Sequence, residues 1–481
     1  MTTDLRPTAV GLRSERGPVL LAIMLATGLV AIDATILATA VPSITGDLGG
    51  FALFPWLFSA YLLAQAVTTP LFGKASDLLG RRPVMLLGIG LFVAGSVLCG
   101  LAWSMPVLIV ARAVQGLGAG AVMPMSMTIV GDLYTVAERA KVQAYIASVW
   151  GASAVVGPTL GGLFSEYLTW RWIFLVNVPL GAVAAVMLLR GFTERVERTK
   201  RSIDVTGATL LVVGASLLVL GLLQGGTTWP WASPVGIGVF VVAALALTGF
   251  VLVERRAAEP VIPGWIFTRR LLIGTNLANV GIGALVVGLS SYVPLYVEGV
   301  LGHGALVGGF ALAAMTVGWP IAGALVGRVY LRIGFRDTGL IGTAVVLLGS
   351  ASLVLLDAGS SVGQVAASCF VIGLGFGFVA SPTLVAAQSS VDWEQRGVVT
   401  GTQMFSRSMG SAVGVAIFGA LANAAVAGRI GTQGVTGGSV PADVLQPAVH
   451  QVFVAAATVS LLLVVALLLM PRRTPGGTVT R

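Results

Sequence analysis

Some charged residues fall inside long apolar stretches, where a charge is costly. Asp33 lies in the stretch 18–41 and Arg112 in the stretch 107–130. A carboxylate at the centre of a bilayer costs about 2.5–3.5 kcal/mol on insertion scales, so an acid retained there favours a functional role. A low dielectric favours the protonated form of a carboxyl. We therefore expect Asp33 either to carry a proton or to act as counter-charge for a cationic substrate. The alternative is a structural acid in a permanent ion pair.

Asp33 and Arg112 have comparable depths in their stretches. At a rise of 1.5 Å per residue, Asp33 is about 12 Å and Arg112 about 8 Å from the stretch ends that we expect to face the same side. The two side chains can therefore pair. The alternative for Arg112 is that its long side chain extends to the nearby membrane surface.

The elements that must position these residues are apolar helices. Of the 481 residues, 56% are hydrophobic and 10% are charged, whereas a soluble domain has roughly 25% charged residues. The apolar residues occur in runs, not in the alternation typical of an outer-membrane barrel. Segments of about 20 apolar residues can span a bilayer as helices. Fourteen such segments are present: 18–41, 54–73, 84–102, 107–130, 142–165, 172–190, 205–224, 235–253, 271–297, 306–327, 338–356, 363–386, 400–422 and 450–470.

Basic residues fix the orientation of these spans. With the N-terminus in the cytoplasm, 24 of the 28 basic residues fall on the cytoplasmic side, and Arg171 and Arg429 fall outside. Because cytoplasmic loops are enriched in Lys and Arg, both termini are predicted to be cytoplasmic. The net charge of +9 then reflects topology and not a nucleic-acid partner. We predict a multi-pass protein of the cell (inner) membrane.

The sequence contains an internal repeat. GLGAG (116–120) matches GLGFG (373–377), and GKASDLLGRR (73–82) matches GRVYLRIGFR (327–336). Repeated halves are typical of secondary transporters, which bind substrate between them. The predicted domains are a cytoplasmic tail 1–17, a six-helix bundle 18–190, a linker 191–270 with two additional transmembrane helices, a six-helix bundle 271–470 and a cytoplasmic tail 471–481.

Four motifs resemble the major facilitator superfamily. GKASDLLGRRP (73–83) resembles its loop signature between spans 2 and 3, and RAVQGLGAG (112–120) resembles the span-4 motif of its drug:proton antiporters. GPTLGG (157–162) resembles the span-5 antiporter motif, and DATILATAVPSI (33–44) the span-1 motif of the fourteen-span drug:proton antiporter branch. The resemblance covers essentially the whole chain and implies a major facilitator fold of two six-helix bundles plus two linking helices.

The resemblance also implies roles for residues. Arg112 would tune proton exchange at Asp33. In the loop signature, Asp77 would hold a gating contact to a neighbouring helix end, together with Gly73, Gly80, Arg81 and Arg82. The alternative is that these charges only set topology. In span 5, the resemblance implies a kink and a smooth packing surface that are linked to antiport. They would be formed by Gly157, Pro158, Gly161 and Gly162. The alternative is a passive kink.

Five further residues are candidates for substrate binding or coupling. Arg407 is a cation within a span, and Glu298 ends span 9 on the predicted outer side; each also has a purely structural or solvated interpretation. Gln115 belongs to the span-4 motif. Tyr61 and Met123 can line a drug cavity, although helix packing is the commoner role of such residues.

The function predicted is proton-coupled multidrug efflux by an antiporter with alternating access. Its substrates would be hydrophobic or cationic small molecules, and its energy source would be the proton gradient without a cofactor. The resemblance implies that the working unit is a monomer. Such export is typical of antibiotic resistance. No phosphate-binding loop, metal-ligand spacing or nucleophile motif is present, so no enzyme is predicted. Two alternatives are a dedicated exporter of one endogenous metabolite, antibiotic or lipid and, more remotely, a membrane-embedded enzyme.

Overall fold

The computed structural model shows an all-α protein. It describes residues 11–49, 53, 55–194, 204–225, 229–257, 259–434 and 441–472. Within these residues, the only extended pairing is an isolated bridge between Gly225 and Trp229. The chain divides into two compact units.

The first unit contains the described residues up to Ala208, with Ala257–Ile262 and Val391–Thr402. Its helices are α1 (Gly17–Leu48), α2 (Pro55–Leu79), α3 (Arg81–Gly100), α4 (Met105–Leu133), α5 (Val136–Tyr167), α6 (Trp172–Leu175) and α7 (Asn177–Gly191). Helix α4 packs against α2 and α3, and α1 packs against α5 and α7. The apolar core between them contains the buried side chains of Ile23, Phe92 and Ile129.

The second unit contains Thr209–Arg256, Pro263–Ser390 and the described residues from Gln403 onward. Its helices are α8 (Val205–Gln224), α9 (Pro234–Glu254), α10 (Arg270–Gly299), α11 (Ala305–Ile333), α12 (Phe335–Val354), α13 (Val362–Ser389), α14 (Arg396–Gly434) and α15 (Ala442–Leu468). The starts of α8 and α14 belong to the first unit. Helix α13 packs against α11 and α12, and α10 packs against α15.

The repeated loop sequence adopts the same turn in each unit. Gly80 joins α2 to α3 with φ 99°, and Gly334 joins α11 to α12 with φ 90°. Residues with a side chain rarely adopt this left-handed region of φ, whereas glycine adopts it readily because it has no Cβ. The sequence repeat therefore corresponds to a repeated helix junction.

Glycines also mark close helix contacts at equivalent positions. A Cβ on Gly157 of α5 would lie 2.0 Å from Thr35 Oγ1 of α1. A Cβ on Gly414 of α14 would lie 2.6 Å from the Cα of Ala284 of α10. Small residues let transmembrane helices approach each other closely. The α1–α5 and α10–α14 contacts thus depend on glycine at positions that align in the repeat.

All fourteen predicted apolar segments fall on helices, with 172–190 covering both α6 and α7. Among the described residues, thirteen helices are long and apolar enough to cross a membrane. Helix α2, which contains the predicted span 54–73, is not one of them. Polar residues within the helix lower its hydropathy: Gln65, Thr68, Thr69, Lys74 and Asp77. The multi-pass helical class is confirmed, whereas the fourteenth span, the side on which the termini lie and the predicted domain boundaries stay predictions.

Candidate functional site

Asp33 and Arg112 are in direct contact in the first unit. Arg112 Nη1 donates to Asp33 Oδ2 at 2.6 Å. Gln115, one turn further along α4, donates from Nε2 to Asp33 Oδ1 at 2.8 Å and accepts from Arg112 Nη1 at 2.6 Å. Residues three apart share a helix face, so the span-4 motif presents both side chains to α1. We call Asp33, Arg112 and Gln115 the ion-pair network.

The ion-pair network is enclosed by protein. Asp33 and Arg112 are each only 1% exposed. Arg112 has further partners, because its Nε donates to the carbonyl oxygen of Leu57 at 3.2 Å. Its guanidinium also lies over the rings of Tyr61 and Phe174, at 4.3 and 5.8 Å from their centroids. Arg112 therefore has partners that do not depend on the charge of Asp33.

Three polar residues that the sequence motifs did not indicate extend this network. Ser96 Oγ accepts from Gln115 Nε2 at 2.9 Å and from Asn177 Nδ2 at 3.3 Å. The Cys99 thiol lies 3.8 Å from Gln115 Oε1. Asn177 Oδ1 is buried and has no hydrogen-bond partner among the described residues. The available signal was Asn177 itself, the only amide side chain in the apolar stretch 172–190.

Helix α5 is attached to α1 beside Asp33. Thr35 Oγ1 donates to the carbonyl oxygen of Ser153 at 2.9 Å. One turn after Ser153, Gly157 has no Cβ, so the backbone of α5 can approach Thr35 closely. Gly157 of the span-5 motif therefore contacts α1 at Thr35, two residues from Asp33.

The span-5 motif does not interrupt its helix. Helix α5 runs unbroken from Val136 to Tyr167, through Gly157, Pro158, Gly161 and Gly162. A proline removes a single backbone donor, and the flanking hydrogen bonds keep the helix continuous. Gly161 is buried, but a Cβ on Gly162 would have no atom within 4 Å. Gly157 and Gly162 thus differ: the first is at a close contact and the second is not.

Asp77 contacts a helix end, as the resemblance implied. Its Oδ1 accepts from the backbone N–H of Gly397 at 2.9 Å and its Oδ2 from that of Val398 at 2.7 Å. These N–H groups lie in the first turn of α14 and have no acceptor within the helix. A carboxylate there also meets the positive end of the helix dipole. Gly73 permits the approach, since its Cβ would lie 2.6 Å from the carbonyl oxygen of Gly397.

Arg81 connects Asp77 to residues that the sequence motifs did not indicate. Its guanidinium bonds to Asp77 at 2.9 Å and to Asp132 at 3.0 Å, and it lies 3.8 Å from the ring centroid of Trp393. Arg396 Nη1 donates to Asp132 at 3.0 Å. Arg81 is 0% exposed. We call Asp77, Arg81, Asp132, Trp393 and Arg396 the gate cluster.

Arg82 and the start of α3 are held by Glu194. The Glu194 carboxylate accepts from the backbone N–H groups of Arg81 and Arg82, each at 3.0 Å. The Arg82 side chain donates to the carbonyl oxygen of Leu189 at 2.5 Å. Glu194 therefore satisfies two backbone donors that have no acceptor within the first turn of α3.

A further ion pair joins the loop signature to the segment that follows α9. Lys74 Nζ lies 2.8 Å from Glu259 Oε2, and both side chains are largely buried. Glu259 belongs to Ala257–Ile262, the short segment that is part of the first unit. After α8 and α9, the chain therefore contacts the loop signature again, through Glu259.

The other candidate residues have contacts of different kinds. In the second unit, Arg407 donates from Nε and Nη2 to Asn279 Oδ1 at 3.1 and 2.8 Å. Glu298 is exposed near the end of α10. Met123 is partly buried and packs against the apolar core of the first unit. Of the five additional candidates, Gln115 and Tyr61 are the two that the structure brings to the ion-pair network.

Helix α1 carries a second acid–arginine pair, which is exposed. Asp47 Oδ2 accepts from Trp170 Nε1 at 2.9 Å and from Arg171 Nη1 at 2.8 Å. The bond from Trp170, followed by that from Arg171, lowers the pKa of the Asp47 carboxyl. The Asp47 side chain is 49% exposed. Asp47 is therefore a matched control for Asp33 on the same helix.

The described residues contain no group of three or more His, Cys, Asp or Glu side chains able to hold a metal ion. In the ion-pair network and the gate cluster, acids face arginines, amides and backbone N–H groups. These groups are therefore arranged for charge pairing and hydrogen bonding.

The chain is similar to known proteins in sequence and in fold. The chain is 35% identical to "Multidrug transporter protein MdtP" of Bacillus subtilis (strain 168) over 86% of its length and 76% of that protein. It is 36% identical to "Multidrug resistance protein 3" of the same organism over 83% of its length and 78% of that protein. The human organic anion transporter MFSD10 (TETRAN) superposes with a TM-score of 0.66 over 94% of this chain and 99% of its own, at 18% identity, which shows the fold alone. The model of the Major Facilitator Superfamily matches residues 23–415. The chain belongs to the Major Facilitator Superfamily.

Proposed function

We propose that this protein is a proton-coupled multidrug efflux antiporter of the cytoplasmic membrane. The observation that carries the proposal is the buried contact between Asp33 and Arg112 in the first unit. The names of the two Bacillus relatives support a multidrug substrate range. The substrates proposed are hydrophobic or cationic small molecules, and the working unit is a monomer that needs no cofactor.

Proton uptake by Asp33 would break the ion pair without leaving Arg112 alone. When Asp33 is neutral, Arg112 keeps the oxygens of Gln115 and Leu57 and the faces of two aromatic rings. Arg112 can thus remain in place in both protonation states. Removal of one charge of a buried pair is otherwise strongly unfavourable. The protonated and ionised states therefore differ mainly in the bonds between α1 and α4.

Substrate would exchange with the proton on the same acid. A cationic substrate that approaches α1 stabilises the ionised form of Asp33, as any nearby positive charge does. Binding of substrate from the cytoplasm would then release the proton, and protonation from the outside would release the substrate. A ligand shifts a conformational equilibrium only by its difference in affinity for the two states. Asp33 would supply this difference in affinity, because its charge differs between the two states.

The gate cluster would extend the change at Asp33 to the contact between α2 and the start of α14. The bonds from the N–H groups of Gly397 and Val398 to Asp77 hold the start of α14 against α2. Hydrogen bonds to a charged group contribute about 1.5–3 kcal/mol each. We propose that these bonds break and re-form in the transport cycle. The smooth contact at Gly157 would let α1 and α5 move against each other as Asp33 changes charge.

The proposal is tested by ethidium uptake into proteoliposomes with an acidic lumen. Wild-type protein should accumulate the dye, and a protonophore should abolish the accumulation. Asp33→Asn should lose gradient-driven uptake, since Asn cannot exchange a proton, whereas Asp47→Asn should retain it. Uptake by Asp33→Asn at the wild-type rate would contradict the role of Asp33. If wild-type protein moves no member of a panel of unrelated cationic and neutral dyes, a dedicated exporter of one endogenous compound replaces the multidrug proposal.

A further inference from the structure

Arg407 is a cation within an apolar span of the second unit, and no Asp or Glu among the described residues pairs with it. A guanidinium has five N–H donors. Two of them, on Nε and Nη2, share one acceptor, the side-chain oxygen of Asn279. An amide oxygen carries no net charge, so the positive charge of Arg407 is not neutralised. Ionisable residues within membrane spans usually take part in function.

The backbone holds Arg407 in a fixed position. A Cβ on Gly283 of α10 would lie 2.0 Å from the carbonyl oxygen of Arg407. A Cβ on Gly410 of α14 would lie 2.0 Å from the carbonyl oxygen of Val280. Helices α10 and α14 therefore meet backbone to backbone on both sides of this position. A charged side chain on such rigid elements is well placed for ligand binding.

The surroundings of Arg407 combine an aromatic face with one amide, that of Asn279. Its guanidinium carbon lies 5.6 Å from the centroid of the Trp319 ring. Trp319 in turn packs against Phe376 at 5.3 Å. Arg407 and Trp319 are both partly exposed, so neither is sealed in the core. An aromatic ring offsets only part of the cost of a desolvated cation, about 0.5–2 kcal/mol.

We propose that Arg407 binds the carboxylate of an aromatic, amphiphilic substrate, with Trp319 stacking against its ring system. The planar guanidinium matches a carboxylate with two parallel hydrogen bonds. Asn279 is a positioning residue, since it holds Nε and Nη2. The inference rests on the proposed efflux function and narrows its substrates: a zwitterion can present a cationic body elsewhere and its carboxylate to Arg407.

An oxyanion at Arg407 has two potential sources, the substrate or the phosphate of an anionic lipid. Both provide acceptors for the guanidinium. The Trp319–Phe376 pair favours a ligand with an aromatic ring, because offset or tilted stacking adds about 0.5–1.5 kcal/mol beyond area burial. The experiment therefore includes lipid as a separate arm.

The test uses rhodamine B and its ethyl ester, which share a ring system and differ in the free carboxylate. Binding of each dye to the purified full-length protein in phosphatidylcholine nanodiscs is followed by fluorescence polarisation. Loss of one charged hydrogen-bond pair should lower affinity for rhodamine B by about tenfold or more in Arg407→Gln. The affinity for the ester should fall much less. Arg407→Lys should be intermediate, and the exposed Arg429→Gln should match wild type for both dyes.

Asn279→Asp is a second variant, in which the side chain keeps its size and gains a negative charge. The new carboxylate would pair with Arg407 and compete with rhodamine B, so affinity for this dye should fall and affinity for the ester should not. This variant decides the question if Arg407→Gln does not fold. Equal losses for both dyes, or an unchanged ratio, would overturn the proposal.

Phosphatidylglycerol in the nanodiscs tests the lipid source. If this lipid displaces rhodamine B from the wild type, the occupant is a lipid phosphate and the substrate proposal is overturned. The assay uses no proton gradient, and ethidium has no carboxylate. Failure of the carboxylate site and failure of proton-coupled efflux are therefore distinguishable.

Discussion

Each unit places one arginine within an apolar span, and the two arginines have different surroundings. Arg112 of the first unit meets a carboxylate, an amide oxygen and a carbonyl oxygen, and it is 1% exposed. Arg407 of the second unit meets one amide oxygen and the face of Trp319, and it is partly exposed. Arg112 contacts α1 through Asp33, and Arg407 contacts α10 through Asn279.

The difference separates two uses of an intramembrane charge. A charge with a buried counter-charge is satisfied until a proton or ligand changes its partner, so the Asp33–Arg112 pair suits coupling. A charge without a counter-charge remains available to a ligand that supplies one, so Arg407 suits recognition. The second copy of the loop signature differs in the same way, since Leu331 occupies the place of the acid.

The largest expected effect is on stability when the first pair is broken. Arg112→Gln leaves Asp33 as an uncompensated buried charge, and loss of one partner of such a pair costs about 3–5 kcal/mol. The free energy of unfolding of purified protein should fall by this amount near neutral pH. The double variant Asp33→Asn, Arg112→Gln should recover most of the loss, since no charge remains. A double variant as unstable as the single one would show that the two residues are not coupled.

An intermediate effect is expected where α1 and α5 meet. Gly157→Ala places a methyl group 2.0 Å from Thr35 Oγ1, and overpacking of this kind costs about 1–3 kcal/mol. Gly162→Ala is the matched control in the same motif, because no atom lies within 4 Å of its new methyl group. Thermal unfolding of the two variants compares them directly. Equal melting temperatures would contradict the close contact at Gly157.

The smallest effect on stability is expected for Arg407→Gln. This change removes a charge that has no acidic partner among the described residues, and Gln can still donate to Asn279. Its melting temperature should therefore fall less than that of Arg112→Gln, measured under the same conditions. A loss as large as that of Arg112→Gln would show that Arg407 is structural, and the distinction between the two arginines would not hold.

Sequence alone predicted the elements and the central contact. Apolar length located the helices, because a bilayer-spanning helix needs a long uninterrupted run. Depth along two such runs predicted that Asp33 and Arg112 can meet, and the structure confirms the contact. The repeat aligns Gly80 with Gly334, and the structure shows a positive φ at both.

The surrounding partners were not predictable in the same way. Ser96 and Asn177 reach Gln115 from α3 and α7, and their meeting depends on how helices pack. Trp393 contacts Arg81 across more than three hundred residues of sequence. No local pattern encodes such a contact. The sequence predicted a kink at the span-5 motif, and the structure shows that α5 is continuous through Pro158.

Proton release on substrate binding tests the central claim most directly. Ethidium is added to purified protein in weakly buffered detergent solution, and released protons are measured with a pH indicator from acidic to neutral pH. The wild type and Asp47→Asn should release protons to the same extent, and Asp33→Asn should release none. Release by Asp33→Asn equal to that of the wild type would show that the Asp33–Arg112 pair does not couple protons to substrate.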